Sequence, residues 1–75
     1  MVARLAQVKP QQLIKALEQF GFVQRRQTGS HVILRHPVTK RMTVIPVHAH
    51  ELKRGSLFGI LKQAHISPDE LLKFL

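Results

Sequence analysis

A glycine–serine–histidine triplet stands between two short runs that are typical of strands. In Gly29-Ser30-His31, the glycine permits a tight turn because it reaches positive φ at little steric cost. The following strand then holds His31 rigidly at the mouth of a hairpin, where its ring meets solvent. An imidazole titrates near neutral pH, so this side chain can accept or donate a proton. The arginines on both sides of it suggest that a phosphate chain is the target of this chemistry: Arg25, Arg26 and Arg35.

The net charge points to a polyanionic partner. The 75-residue chain carries twelve Lys and Arg against four Asp and Glu, a formal charge of +8. A domain this basic is expected to bind nucleic acid. The alternatives are an acidic protein partner or a basic surface that serves only solubility. Four Phe with no Tyr or Trp argue against base-stacking platforms, so binding to backbone and shape is expected. The expected phosphate contacts are Arg25, Arg26, Arg35, Lys40, Arg41, Lys53 and Arg54.

Composition excludes several other classes of site. The chain has no cysteine, which rules out disulfides, a thiol nucleophile and thiolate zinc sites, and which fits a reducing cytoplasm. Neither a membrane span nor a signal peptide is expected. His48 and His50 form a His-x-His pair, but Glu51 is the only carboxylate nearby and no third ligand is evident. We therefore expect one cytoplasmic domain over residues 1–75, with no metal and no cofactor.

Helical spacing and helix-end signals predict three helices. The first is expected from Pro10, a suitable first helical residue, to Phe20, with Gly21 as its C-terminal stop. A second begins between Leu52 and Ser56 and presents Leu57, Ile60, Leu61 and Ala64 on one face. A third, short helix follows a capping box over 67–70, in the order Ser-Pro-Asp-Glu. His36 is expected at a strand end and His65 at the C-terminus of the second helix, while residues 1–8 are expected to fray or to pair as an edge.

Three antiparallel strands are predicted between the first two helices, over 22–27, 30–36 and 41–47. Pro46 places the third strand at an edge or strand end, because proline cannot donate to a sheet ladder. Alternation along the middle strand assigns Val32 and Leu34 to the core, and His31 and Arg35 to the open face. Packing the predicted helices against one face of this sheet gives a two-layer α+β domain.

Several motifs of this sequence resemble those of the HicA family. Its members are small toxins of type II toxin–antitoxin pairs and are also described as YcfA-like. The likeness extends over roughly Leu13 to Leu72, and its most specific part is the combination of Gly-Ser-His with a downstream Pro-x-His. The residues that carry it are Gly21-Phe22-Val23, Arg26-Gln27, Gly29-Ser30-His31, Pro46, His48, Leu57 through Ala64, and Ile66-Ser67.

The resemblance implies a double-stranded-RNA-binding-domain-like fold in the order α-β-β-β-α(-α). It also implies an endonuclease that cleaves mRNA and a cognate antitoxin, HicB, that blocks its site. The family's catalytic histidine falls on His31, presented by Gly29 and Ser30, and the histidine after the proline falls on His48. If a second histidine completes an acid–base pair, His48 is the first choice. The rival interpretations are a non-catalytic RNA-binding module of the same fold and a DNA-binding regulator. The oligomeric state of the free toxin is not indicated.

Overall fold

The elements occur in the predicted order, α-β-β-β-α-α. A computed structural model describes residues 8–48 and 50–75. Its helices begin, and its strands begin and end, within two residues of the predicted bounds. They are α1 (Pro10–Gln19), β1 (Val23–Thr28), β2 (His31–Arg35), β3 (Met42–Pro46), α2 (Arg54–Ala64) and α3 (Pro68–Leu72).

The expectation for the N-terminus is wrong at Val8, while residues 1–7 lie outside the described part. Val8 is buried with the core, and its carbonyl accepts a hydrogen bond from the Leu52 N–H at 2.9 Å. An apolar side chain that enters the core removes its surface from water, and this burial favours the ordered position. The residue therefore ties the start of the fold to the segment before α2.

Local signals at the helix ends act as the sequence predicts. Gly21 follows α1 with a φ of +98°, a conformation that an L side chain rarely adopts. The capping box of α3 is formed, because the Glu70 N–H donates to Ser67 Oγ at 3.1 Å and the Ser67 N–H donates to Glu70 Oε1 at 2.9 Å. His65 lies at the C-cap of α2, as predicted, and its backbone there is in the left-handed conformation.

The three strands form one antiparallel sheet in the order β1-β2-β3. Pro46 is the last residue of β3, an edge strand, so its missing N–H interrupts no ladder. In β2 the predicted alternation holds, since Val32 and Leu34 are buried whereas His31 and Arg35 are exposed. The helices cover the buried side of the sheet, and the other side, here called the outer face, is open.

Strand β1 contains a bulge that the sequence analysis does not anticipate. Gln24 pairs with Leu34, but the next pair joins Arg26 to Ile33, so Arg25 is the extra residue. A bulge shifts the alternation of side chains by one residue. Because of this shift, Arg26 shares the outer face with His31 instead of lying on the opposite face of the sheet.

A part-buried hydrogen bond links the sheet to α2. Thr43 is 1% exposed, and its hydroxyl donates to Gln63 Oε1 at 2.8 Å. A buried hydroxyl without a partner would be costly, so this hydrogen bond sets how α2 lies on β3.

Candidate functional site

His31 stands at the first position of β2, directly after the glycine turn. Gly29 has a φ of +56°, which confirms its predicted role in the turn. The His31 side chain is exposed, and its Nδ1 lies 3.4 Å from Ser30 Oγ, at the long end of hydrogen-bonding distance. Strand pairing fixes the backbone position of His31, so the imidazole is anchored at its Cα while its ring stays accessible to a ligand.

The segment that carries the second histidine is docked beside this position. His31 is paired with Pro46, and the Val47 N–H donates to the Ser30 carbonyl at 2.7 Å. His48 is the next residue along the chain and is exposed. The register therefore brings the backbone of the Pro-x-His motif against that of the Gly-Ser-His motif, although the two lie far apart in sequence.

The outer face combines positive charge with exposed apolar side chains. Its nine positions, read from the pairing of the three strands, are Val23, Arg26, Thr28, His31, Ile33, Arg35, Met42, Val44 and Pro46. None of them is acidic. Three apolar side chains there are well exposed: Val23 at 47%, Met42 at 55% and Val44 at 41%. The sequence analysis identified the charge of this face but missed its apolar part, which depends on strand register.

The basic residues proposed as phosphate contacts separate into two groups along the sheet. Arg26 pairs with Ile33, two residues along β2 from His31, whereas Arg35 lies at the far end of β2, about 13 Å along the strand. Lys40 and Arg41 follow in the β2–β3 turn at that same far end. We call the end of the sheet at Thr28, His31 and Pro46 the His31 end. The other end, at Val23, Arg35 and Met42, is the His36 end.

The N-terminus of α2 lies toward the His31 end, since β3 runs to that end and α2 returns along the sheet. Its N-cap residue, Lys53, provides no side-chain hydrogen bond, and the first turn contains no acidic residue. The guanidinium of Arg54 lies 5.5 Å from the centre of the Phe58 ring. The first N–H groups of a helix carry partial positive charge, so the predicted phosphate contacts at Lys53 and Arg54 stand where an anion is favoured.

Metal-ligand clusters and membrane-spanning helices are both absent from the part of the chain that the structure describes. Within residues 8–48 and 50–75, no three His, Cys, Asp or Glu side chains lie close enough together to hold a metal ion. Of the helices in that part of the chain, none has the length and the apolar run needed to cross a membrane.

The sequence also matches a known protein family. The sequence profile of a family described as HicA toxin of bacterial toxin-antitoxin matches residues 10–66. The chain belongs to the HicA toxin family. The matched region of this HicA chain contains both the Gly-Ser-His and the Pro-x-His motifs, which confirms the resemblance seen in the sequence. It is thus a toxin of a toxin–antitoxin family, and this membership implies an antitoxin partner. No curated protein sequence shows a significant match to the chain.

Proposed function

We propose that this HicA toxin is a metal-independent endoribonuclease that cleaves mRNA in the cytoplasm and is held inactive by a HicB-type antitoxin. The observation that carries the proposal is His31, a solvent-accessible imidazole fixed on a strand in a face without acidic residues. A proton-transfer group in such a setting suits a substrate that is a polyanion and that lies across a shallow surface.

The proposed reaction is attack by the substrate's own 2′-hydroxyl on the neighbouring phosphorus. A base removes the 2′-hydroxyl proton, the 2′-oxygen bonds to phosphorus, and the bond to the 5′-oxygen breaks as an acid protonates the leaving group. The products are a 2′,3′-cyclic phosphate and a 5′-hydroxyl. His31 serves as general base or acid. His48 is the first choice for the second group, because the N–H of the preceding residue, Val47, donates a hydrogen bond to the Ser30 carbonyl.

Positive charge around His31 would stabilise the phosphoryl oxygens as negative charge develops on them. Arg26 is the nearest arginine on the outer face by strand register, while Lys53 and Arg54 lie at the helix end beyond β3. Fixed cations aimed at developing charge lower the barrier because little reorganisation is needed during the reaction. The remaining cations, Arg25, Arg35, Lys40 and Arg41, would hold the RNA backbone, so binding should weaken steeply with added salt.

The outer face also supports the proposed antitoxin. Its exposed valines and methionine have nothing to offer a phosphate chain, yet Val23 and Met42 flank Arg35 on the face that also carries His31. Exposed apolar side chains that are rimmed by polar groups are typical of protein interfaces. An antitoxin that presents apolar or aromatic groups together with carboxylates would cover this face and exclude RNA from His31.

The proposal is tested by His31→Ala, with His50→Ala as the matched control. Both histidines are exposed, so neither change should alter folding. Loss of acid–base help should lower RNA cleavage by about 10²–10⁴-fold and abolish growth arrest, while RNA affinity is kept. His50→Ala should cleave at the normal rate, and a digest should yield fragments that end in a cyclic phosphate.

The same pair of variants distinguishes a nuclease from a non-catalytic RNA-binding module. A non-catalytic RNA-binding module would bind RNA and show no cleavage above that of the His31→Ala preparation. Cleavage at the normal rate by His31→Ala would show that another group carries the chemistry, and the assignment of His31 would then be wrong.

A further inference from the structure

A cavity of about 300 Å³ opens at the His36 end of the sheet, away from His31. It lies between the C-terminal end of α1, the β2–β3 turn and the junction of α2 with α3. Four rings line it: Phe20, Phe22, His36 and His65. The volume is at the lower end of the range typical of small-ligand sites. None of these residues takes part in the chemistry proposed at His31.

The wall formed by His36 is rigid. Its Nε2–H donates to the Phe20 carbonyl at 3.1 Å, while its Nδ1 accepts from the Val38 and Thr39 N–H groups at 3.1 and 3.2 Å. The ring also meets the Phe22 ring edge to face, with centroids 5.3 Å apart. Because the ring nitrogens are fully used, His36 offers the cavity a fixed flat surface and no free polar atom.

Arg41 is the positively charged arginine in the lining of this cavity. Among the Lys and Arg residues of 8–48 and 50–75 it is the one that is partly buried, and the others are exposed. Its backbone N–H donates to Thr39 Oγ1 and its carbonyl accepts from the His36 N–H, but its guanidinium has no hydrogen-bond acceptor in those same residues. A guanidinium without a partner, on a residue that lines a cavity, favours an anionic ligand that can accept hydrogen bonds from two of its N–H groups.

A second charged residue of the cavity lining, Glu70, restricts where that anion can lie. The Glu70 carboxylate is occupied by the α3 cap, and the hydrogen bonds from the Ser67 backbone and side chain, with the nearby charge of Lys73, lower its pKa. It is therefore an anion at neutral pH and repels a phosphate. A ligand must place its anionic group toward Arg41 and its uncharged part against the rings and the apolar floor.

We propose that this cavity binds one nucleotide unit, with the base among the rings and the phosphate on Arg41. A base is flat and apolar on its faces, and protein aromatic side chains commonly hold unstacked bases of single-stranded RNA in this way. This inference rests on the proposed RNA substrate and extends it. One strand would be gripped at the His36 end while its scissile phosphate lies at His31.

The site is tested by titrating the full chain with 5′-AMP and following backbone amide signals by NMR. Shifts should saturate and should centre on residues 36–41 and 64–66. Adenosine and inorganic phosphate are titrated separately, and each should bind more weakly than the nucleotide. Arg41→Gln should weaken 5′-AMP binding about tenfold, as expected for the loss of a charge-assisted contact near the surface. Lys15→Gln, which removes an exposed charge on α1, should leave it unchanged.

A short 2′-O-methyl oligonucleotide, which cannot be cleaved, distinguishes a nucleotide within RNA from a free nucleotide. If it shifts the same residues as 5′-AMP, the cavity holds part of the RNA strand. Shifts with 5′-AMP alone would overturn the link to RNA. Equal shifts with inorganic phosphate would show that an adventitious ion only is bound, and shifts confined to the outer face would overturn the cavity site. RNA cleavage by the unaltered chain is measured in parallel, so failure of the cavity and failure of the nuclease proposal are told apart.

Discussion

Substituting Gly21 by alanine should destabilise the domain more than any other glycine substitution tested beside it. A Cβ at this position would lie 2.7 Å from His36 Nε2, well inside van der Waals contact, and the backbone φ is +98°. The His36 ring cannot turn aside freely, since three hydrogen bonds hold it. The substitution therefore combines backbone strain with displacement of a bonded ring.

The magnitude follows from these two terms. Positive φ costs an L residue roughly 1–2 kcal/mol. Loss of the bond between His36 and the Phe20 carbonyl adds about 0.5–1.5 kcal/mol, and more if the two bonds to Nδ1 are also broken. The expected loss is about 2–4 kcal/mol in the free energy of unfolding, measured by urea denaturation. Small domains are stable by only about 5–15 kcal/mol, so the melting temperature should also fall clearly.

Two other glycines provide matched controls. A Cβ at Gly29 or Gly59 would meet no atom within 4 Å, and only Gly29 has positive φ. Gly29→Ala should therefore cost the strain alone, about 1–2 kcal/mol. Gly59→Ala, inside α2, should stabilise the domain by up to about 1 kcal/mol through helix propensity.

A double-mutant cycle isolates the collision itself. In a His36→Ala background the alanine at position 21 has no ring to displace, so Gly21→Ala should cost about as much as Gly29→Ala. If Gly21→Ala costs no more than Gly29→Ala in the unaltered background, or if the cycle shows no coupling, the reasoning is refuted.

Two further predictions concern the α3 cap and the outer face. The pKa of Glu70 lies below its ordinary value of 4.5, chiefly through the Ser67 N–H. The carboxylate therefore stabilises the fold above the unfolded pKa, and this contribution is lost as the pH falls through the folded pKa. The difference in unfolding free energy between the unaltered chain and Glu70→Gln should shrink from neutral to acidic pH, and a constant difference would contradict the cap's charge. Val44→Asp, on the outer face, should weaken binding of the proposed HicB-type antitoxin about tenfold or more, because an apolar contact is lost. Val38→Asp, an exposed valine in the β2–β3 turn, is the control, and equal affinities measured by calorimetry would exclude the outer face as the interface.

Much of the architecture could be read from local chemistry. Helical spacing placed Leu57, Ile60, Leu61 and Ala64 on the buried face of α2, where the structure has them. The capping box at Ser67 depends on residues three apart, so its signal is complete within one turn of chain. Gly21 as a helix stop is likewise a property of one residue and its own backbone. These features needed no knowledge of distant contacts.

The candidate site was only partly visible at that level. The sequence by itself determined that His31 follows a glycine turn, that its strand alternates between faces, and that the chain is strongly basic. It could not show that Val47 bonds to Ser30, because hydrogen bonding between distant segments depends on strand register. The prediction about Val8 failed for a similar reason, since its burial depends on contacts with the segment near Leu52.

Only the tertiary structure decided how charge is distributed around the sheet. The bulge at Arg25 turns Arg26 toward His31, and strand pairing collects Val23, Met42 and Val44 on the same face. The cavity beside Arg41 arises where three segments from different parts of the chain meet. Composition and periodicity describe residues along one chain, whereas a binding surface is made of neighbours across strands and helices, and packing alone selects those neighbours.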